Sequence, residues 1–219
     1  MAKAKKKPKP KDDDVDEDDI AERWLAHRTA FMQRVLGKRL KTYKPSGWPF
    51  KLGGKVDIFF YPRGIPGTGF ATLDLSQILQ LASQNKVFDY YELVMFTRAP
   101  MSLPKLKRRT TKLGRAFHNA RGLLTSIGWG SAERSLNPGN TVEFPDDGEE
   151  HAGKCFIVDD YSGHRGVVDK HLKFGVMVVI EIFRSEMKWA CKRDGSKLIA
   201  KLKEAGHYPY TDMNRKPVA

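Results

Sequence analysis

Apolar residues recur at helical spacing in three parts of this chain. The first pattern predicts a helix from Ile20 to Leu36, with Asp18 or Asp19 as its N-cap and Gly37 directly after its last turn. The second is a core-facing stripe with spacings of 4, 3, 4 and 3, formed by Leu113, Phe117, Ala120, Leu124 and Ile127. Both segments therefore predict amphipathic helices that cover a hydrophobic core.

The third helical pattern lies near the C-terminus and has two parts. Ser185 is the predicted N-cap of a helix that begins at Glu186, and Gly195 interrupts that helix. Leu198, Ile199 and Leu202 then rebuild an apolar face, which Gly206 ends. A short helix is also predicted over residues 78–82.

Shorter apolar runs predict six strands. Residues 56–61 and 69–73 flank a segment rich in proline and glycine, so they predict a hairpin. Two runs are almost continuously apolar, which is typical of strands that are covered on both faces; they are 91–97 and 176–183. Two further short strands, 141–144 and 155–158, enclose an acidic loop. The order of these elements predicts an α+β fold, in which a mixed, largely antiparallel sheet carries helices packed on its faces.

Composition is that of a globular chain with a charged tail. The chain has 219 residues, of which 40% are hydrophobic, and a net charge of +13. Residues 1–19 contain six lysines and seven acidic residues but almost no apolar residue, so we predict that they form a disordered tail. The predicted domain, 20–219, therefore carries a charge of +14, and it contains no internal repeat.

The positive charge is concentrated between Glu92 and Glu133, where the sequence has no acidic residue. A basic helix is predicted around residues 105–121, and its cations fall away from the apolar stripe; they are Arg108, Arg109, Lys112, Arg115 and Arg121. Cations grouped in this way bind an acidic protein surface or a phosphate backbone. We predict a protein partner with an acidic surface as the first choice and nucleic acid as the alternative.

The sequence contains no nucleotide-binding, hydrolase or metalloprotease motif, so no catalytic residue and no cofactor are predicted. Asp159 and Asp160 lie near His164 and His171. However, adjacent aspartates at a strand end point to opposite faces, and the histidine spacing fits no common metal site. We therefore interpret the two aspartates as part of an acidic patch without a metal.

The two cysteines, Cys155 and Cys191, lie in segments that predict packed structure, so both are interpreted as core thiols. His118 is interpreted as a surface or boundary residue. Two cysteines are too few for a disulfide framework, and no apolar run is long enough to span a membrane. A reducing cytoplasm is the predicted location.

The C-terminal sequence carries a resemblance to a known family. Residues 179–190 read VIEIFRSEMKWA, and residues 206–218 read GHYPYTDMNRKPV. A buried strand that runs into a helix beginning Glu-aliphatic-x-Trp-Ala, followed by a Thr-Asp-aliphatic-x-Arg-x-x-Val turn, resembles the closing segment of the bacterial suppressor of fused-like domain. Further pieces agree in order, and the resemblance extends over about residues 20–218; these pieces are 56–61, 70–76, 91–95, 140–145 and 157–158.

The resemblance implies a non-enzymatic protein-binding module. The animal member of the family holds a transcription factor of the Hedgehog pathway by capturing an extended peptide, and some bacterial relatives are thought to be immunity proteins that neutralise a toxin. The second domain of the animal protein has no counterpart here, so its contact residues are not transferred. Asp74 also departs from the family pattern, which has a small residue there, so no ligand contact is assigned to Leu75 or Ser76.

Overall fold

A computed structural model describes residues 17–41, 48–49, 55–77, 84–146, 151–163, 166–169 and 172–219. Its helices are α1 (Glu17–Leu36), α2 (Leu103–Leu106), α3 (Lys112–Glu133), α4 (Arg184–Arg193) and α5 (Gly195–Glu204). Its strands are β1 (Trp48–Pro49), β2 (Lys55–Val56), β3 (Ile58–Tyr61), β4 (Thr68–Thr72), β5 (Tyr90–Thr97), β6 (Thr141–Glu143), β7 (Cys155–Asp160), β8 (Gly166–Asp169) and β9 (Leu172–Ile182).

Seven strands form the main sheet. Six of them follow the order β3-β4-β5-β9-β7-β6, and β8 pairs with the beginning of β9. The pair β5–β9 is parallel, whereas the other pairs in this sheet are antiparallel. The predicted α+β class and the mixed, largely antiparallel sheet are therefore confirmed, as is the predicted hairpin, now β3–β4.

Helices cover both faces of this sheet, which explains why β5 and β9 are apolar on both sides. One hydrophobic cluster packs the α3 stripe against alternate residues of β5, such as Leu93 and Met95. The other cluster packs α1, α4 and α5 against the intervening residues, such as Val94 and Phe96. The prediction that residues 91–97 form a central, doubly covered strand is confirmed.

The helix boundaries follow local capping. α1 ends where expected, because Gly37 adopts a φ of +82°, a left-handed conformation that favours glycine. It begins at Glu17, however, so its first residues lie inside the segment that the sequence assigned to the tail. The rest of that tail, the short helix predicted over 78–82 and residues 147–150 of the acidic loop lie outside the described residues.

The predicted start of α4 is wrong by two residues. Ser185 is not its N-cap: the helix begins at Arg184, and Phe183 occupies the capping position. The carboxylate of Glu186 accepts the backbone N–H of Phe183 at 2.9 Å, so a side chain in the first turn satisfies the helix end in place of a capping hydroxyl. Within the described residues, no helix is long and apolar enough to cross a bilayer.

Candidate functional site

The structure divides the predicted basic helix into the short helix α2, a turn and the beginning of the long helix α3. Arg108 and Arg109 do not lie on α3, because Thr111 caps that helix with its hydroxyl, which accepts the N–H of Gly114 at 3.0 Å. The exposed Arg109 side chain donates from Nε to Nε2 of His118 at 2.9 Å, and this half-buried histidine lies at a boundary, as predicted.

Of the remaining predicted cations, Lys112 and Arg115 are exposed at the beginning of α3. Arg121 lies nine residues beyond Lys112 and is half-buried, about 13 Å further along the helix axis. The five predicted residues therefore occupy three separate places: the turn, the first turns of α3, and its middle.

Lys112 and Arg115 border a cleft of about 870 Å³, which we call the basic cleft. Its walls are the end of β5, the beginning of α3 and the chain segment 211–214. The four basic residues of the lining are Arg98, Lys105, Lys112 and Arg115, and its two acidic residues are Glu181 and Asp212. Reasoning from the sequence missed Arg98 and Lys105 as parts of this site, because only the fold brings them to α3.

The basic residues of the cleft are not engaged in salt bridges with the part of the chain that the structure describes. Within the described residues, no salt bridge involves the basic residues between positions 98 and 115. Arg98 is instead held by the chain: its guanidinium stacks 4.0 Å from the ring centre of Tyr210 and donates to the carbonyl oxygen of Gly206. The positive charge at the cleft is therefore available to an external anion.

Glu181 and Asp212 do not balance the four basic residues of the cleft lining. Burial raises the pKa of the Glu181 carboxyl above its usual value, and the Lys154 ammonium offsets part of the rise. Lys154 itself donates from Nζ to Oδ1 of Asn119 at 3.2 Å, which fixes it between β7 and α3. The cleft consequently carries a net positive charge near neutral pH.

The C-terminal segment that closes one side of the cleft is anchored by a buried ion pair. Arg215 contacts Glu186 through two hydrogen bonds of 2.6 and 2.7 Å, and the side chains are 2% and 0% exposed. The backbone N–H of Val218 donates to the same carboxylate at 2.8 Å. These contacts give a physical reason for the C-terminal motif, since its Glu, Arg and Val form one cluster.

This cluster predicts a pH dependence of stability. Burial alone would raise the pKa of Glu186, but hydrogen bonds from Arg215 and from the backbone N–H groups of Val218 and Phe183 lower it below the ordinary 4.5. A carboxyl with a lowered folded-state pKa stabilises the protein above its unfolded pKa, and that stability is lost as the pH falls through the folded value. We expect the free energy of unfolding, measured in urea, to decrease below about pH 4.5 in the wild type. The decrease should be clearly smaller in Arg215→Met; an identical pH profile would contradict this assignment.

A second concave surface lies at the open edge of the sheet. β6 is the last strand in the order, and within the described residues no strand pairs with its outer side. A groove of about 590 Å³ runs along it, between the second half of α3 and one turn of α4. We call this surface the edge groove.

The edge groove exposes backbone hydrogen-bonding groups. The N–H of Phe144 donates to the carbonyl oxygen of Lys154 at 3.0 Å, so this residue bonds inward to the β7 side. Bonding direction alternates along an antiparallel strand, and the N–H and C=O groups of Thr141 and Glu143 therefore point outward into the groove. Such an edge is a template for one further strand.

Both carboxylates of the predicted acidic patch interact with other side chains of the chain. Asp159 forms a salt bridge of 3.2 Å with Lys203, and Asp160 accepts the hydroxyl of Ser162 at 2.7 Å. No group of three potential metal ligands occurs among the described residues, and His164 and His171 lie outside them.

The two cysteines differ. Cys155 is buried, as predicted, and burial raises the pKa of its thiol, which disfavours the reactive thiolate. The prediction that Cys191 is a core thiol is wrong, because it is exposed in the edge groove, 3.5 Å from the Thr141 hydroxyl. α4 presents Met187 and Ala190 to the core, so the next residue turns away from it.

Comparison with known proteins gives a fold and no closer assignment. No family model matches the sequence, and no curated protein matches it. Several solved structures share the fold. A suppressor of fused homologue from Neisseria gonorrhoeae is 14% identical with a TM-score of 0.53, and the match covers 90% of this chain and 97% of that one.

The structure of a Sufu–Fu complex is similar at 14% identity and a TM-score of 0.55, with 90% of this chain and 91% of that chain covered. Drosophila Suppressor of Fused is 13% identical with a TM-score of 0.53; 90% of this chain matches 51% of that protein. The chain therefore has the suppressor of fused-like fold that its C-terminal motif predicted, and it spans about half of the Drosophila chain.

Proposed function

We propose that this chain is a non-enzymatic, cytoplasmic protein-binding module, which captures an extended segment of another protein at the edge groove. The observation that carries the proposal is the outer side of β6, which pairs with no described strand and is enclosed between two helices. A peptide added there would gain main-chain hydrogen bonds from Thr141 and Glu143 and side-chain contacts from both helices. Support also comes from the Sufu–Fu complex, in which a protein of this fold is part of an assembly.

The two walls of the groove would select the side chains of such a segment. Alternate residues of a bound strand point to opposite sides. One set would contact Ile127 and Leu136 on the α3 side, and the other Ala190 and Cys191 on the α4 side. A volume of about 590 Å³ lies in the range of ordinary ligand sites.

The proposal predicts that Glu143→Pro weakens peptide capture without unfolding the protein. Proline removes the outward N–H of this residue, and proline is tolerated on an edge strand when the lost N–H faces away from the ladder. We expect peptides selected from a displayed random library against the wild type to lose at least about tenfold in affinity, which is the scale of one lost hydrogen bond. The measurement is titration calorimetry with the selected peptides.

Glu143→Gln is the matched control, because it removes the same charge and the same salt bridge to Arg184 but keeps the N–H. Its affinity should stay within about threefold of the wild type, since exposed ion pairs contribute little. Equal losses in both variants, or no loss in Glu143→Pro, would contradict strand addition at β6.

Neutralisation of a toxin is the specific role that we assign to such capture. An immunity protein covers a surface of its toxin, and protection then follows from binding alone. Co-expression with the product of a neighbouring toxin-like gene should restore growth for the wild type and for Glu143→Gln, but not for Glu143→Pro.

Nucleic acid is the second candidate partner, favoured by the exposed cations near the beginning of α3 that form no salt bridge with a described residue. Its phosphates would meet two carboxylates in the basic cleft, those of Glu181 and Asp212. We therefore rank it below a protein partner.

A further inference from the structure

We propose that the basic cleft is a second binding site, independent of the edge groove, and that it takes an acidic segment of a partner protein that carries an apolar side chain. This site goes beyond the capture of an extended segment at β6, because it uses other elements and another kind of contact.

The interior of the cleft is apolar. The buried side chains of Phe70, Met95 and Leu113 form its floor, and its accessible apolar lining consists of half-buried residues, namely Ala99, Ala116 and Met213. The small side chain of Ala116, half-buried on α3, leaves the space beside them open. An aliphatic or aromatic side chain of a partner would lose its contact with water here, which is the main favourable term in association.

The rim of the cleft is cationic, and two of its cations are held in place. Arg98 is fixed by Tyr210 and Gly206, as described above, and Arg115 donates to the carbonyl oxygen of Thr110 at 2.9 Å. Lys105 and Lys112 are exposed and form no salt bridge with a described residue. Carboxylates on a partner would therefore meet oriented guanidinium groups and adaptable ammonium groups.

The beginning of α3 adds a second reason to expect an anion. The N-terminus of a helix carries a partial positive charge, which acidic residues in the first turn normally offset. α3 has no acidic residue in its first turn, and its first residue is Lys112. The protein thus keeps unfavourable charge at this end of the helix, and a bound anion would compensate it.

A protein segment fits these features better than nucleic acid does. The lining contains the carboxylates of Glu181 and Asp212, which would repel a continuous phosphate backbone but can face the backbone amides of a peptide. The aromatic rings of the lining, Phe70 and Phe96, are 1% exposed and offer no face on which a base could stack.

The chain also has an acidic run of its own, at residues 12–19. Trp24 of α1 packs on Tyr90, the first residue of β5, whereas the cleft is lined by the last residues of that strand. The described beginning of α1 is thus at the opposite end of the sheet from the cleft, which favours a separate partner as the source of the acidic segment.

The test uses the full chain and a fluorescein-labelled peptide of about twelve residues, made of Asp and Glu with leucine at every fourth position. We expect micromolar binding by fluorescence anisotropy at about 50 mM salt and weaker binding as the salt concentration rises. Lys105→Glu/Lys112→Glu should lose at least tenfold in affinity. The control Lys188→Glu/Lys197→Glu changes the net charge equally at exposed positions of α4 and α5, and it should stay within threefold.

Two further measurements test what the apolar contact contributes to binding and whether the variants remain folded, separately from the effect of charge. Ala116→Phe should fill the cleft and weaken binding at least fivefold, and a peptide with serine in place of leucine should bind the wild type more weakly. Thermal unfolding shows which variants remain folded, and a folded Lys105→Glu/Lys112→Glu protein is sufficient for the test. Glu143→Pro should leave this binding unchanged, so a failure of the edge groove and a failure of the basic cleft are distinguishable.

Several results would overturn the proposal. These are absence of peptide binding at 100 µM protein, equal losses in both double variants, or no preference for the leucine-containing peptide. Tighter binding of a duplex DNA or single-stranded RNA that is lost in Lys105→Glu/Lys112→Glu would assign the site to nucleic acid. A tenfold gain in peptide affinity on deletion of residues 1–16 would assign it to the chain's own acidic run.

Discussion

Replacing Arg28 with methionine is expected to lower the free energy of unfolding by about 3–5 kcal/mol, the cost of leaving one member of a buried ion pair alone. Arg28 of α1 and Glu92 of β5 are both 0% exposed, with 3.4 Å between Nη1 and Oε1. The arginine also donates to the carbonyl oxygen of Leu73 at 2.7 Å and to the hydroxyl of Ser76. Without it, the Glu92 carboxylate would lose its only cationic partner within the described residues.

The contacts of Glu92 extend the effect of the loss to a second part of the fold. Its carboxylate also accepts the backbone N–H groups of Leu75 and Ser76, at 3.2 and 3.1 Å, so it holds the short 3₁₀ turn over residues 75–77 against β5. Burial raises the pKa of this carboxyl, and the Arg28 charge acts against that rise. An unpaired Glu92 would therefore take up a proton or detach from the turn.

Urea unfolding of the wild type and four variants measures this effect. Lys38→Met removes one exposed positive charge near the end of α1, and it should change stability by less than about 0.5 kcal/mol. Adding Glu92→Gln to Arg28→Met should recover part of the loss, since it removes the isolated charge, and Glu92→Gln alone completes the double-mutant cycle. A loss in Arg28→Met no larger than that in Lys38→Met would show that the pair does not stabilise the fold.

Arg215→Met is expected to cost a similar amount, about 3–5 kcal/mol, because it leaves the fully buried Glu186 carboxylate without its two strongest hydrogen bonds. The same carboxylate holds the N-terminus of α4, through Phe183, and the last residues of the chain, through Val218. The loss should therefore loosen the C-terminal segment as well as lower global stability.

Lys216→Met is the matched control, since it removes an exposed charge from the neighbouring position. Urea unfolding should separate the two variants by at least about 2 kcal/mol, given the small effect of surface substitutions. Hydrogen exchange should show faster exchange of the Val218 amide in Arg215→Met alone. Equal stabilities, or an unchanged Val218 amide, would contradict the role assigned to this ion pair.

The helices and strands that were predicted correctly are those for which the local pattern of apolar residues and glycines is sufficient. The stripe of α3 is regular because every third or fourth residue faces one cluster, and β5 is continuously apolar because helices cover both of its faces. Gly37 and Gly206 mark helix ends by a positive φ that other residues rarely adopt. These signals are local, so they can be read without knowledge of the fold.

The predictions from sequence are wrong where a contact between residues far apart in the chain determines the local structure. A hydroxyl at Ser185 is a good local cap, but the carboxylate of Glu186, anchored by Arg215 from the C-terminus, satisfies the helix end. The predicted basic helix includes both Arg108 and Lys112. A count of charges does not reveal that Thr111 is the N-cap of α3, so that Lys112 lies on the helix and Arg108 lies before it. Distant contacts also assemble the cleft, since its wall at 211–214 comes from the far end of the chain.

The Arg28–Glu92 pair was missed, although a signal was present. Arg28 lies four residues after Trp24 and four before Met32, within the apolar stripe of α1, and Glu92 interrupts an otherwise apolar strand. A charged residue in each of two core-facing patterns predicts that the two residues meet, because a lone buried charge is too costly to keep. The edge groove gives no comparable signal, since an unpaired strand side depends on the strand order.

The parallel pairing of β5 with β9 has a consequence for biosynthesis. Tyr90 pairs with Phe174, so the middle of the sheet joins residues 84 positions apart. While the ribosome is still translating the intervening codons, the nascent hairpin of β4 and β5 exposes the hydrophobic edge of β5, because β9, the strand that pairs with it, has not yet been made. Folding that waits for such a remote strand is slow. We therefore expect translation products that stop before residue 172 to need chaperones and to be degraded quickly.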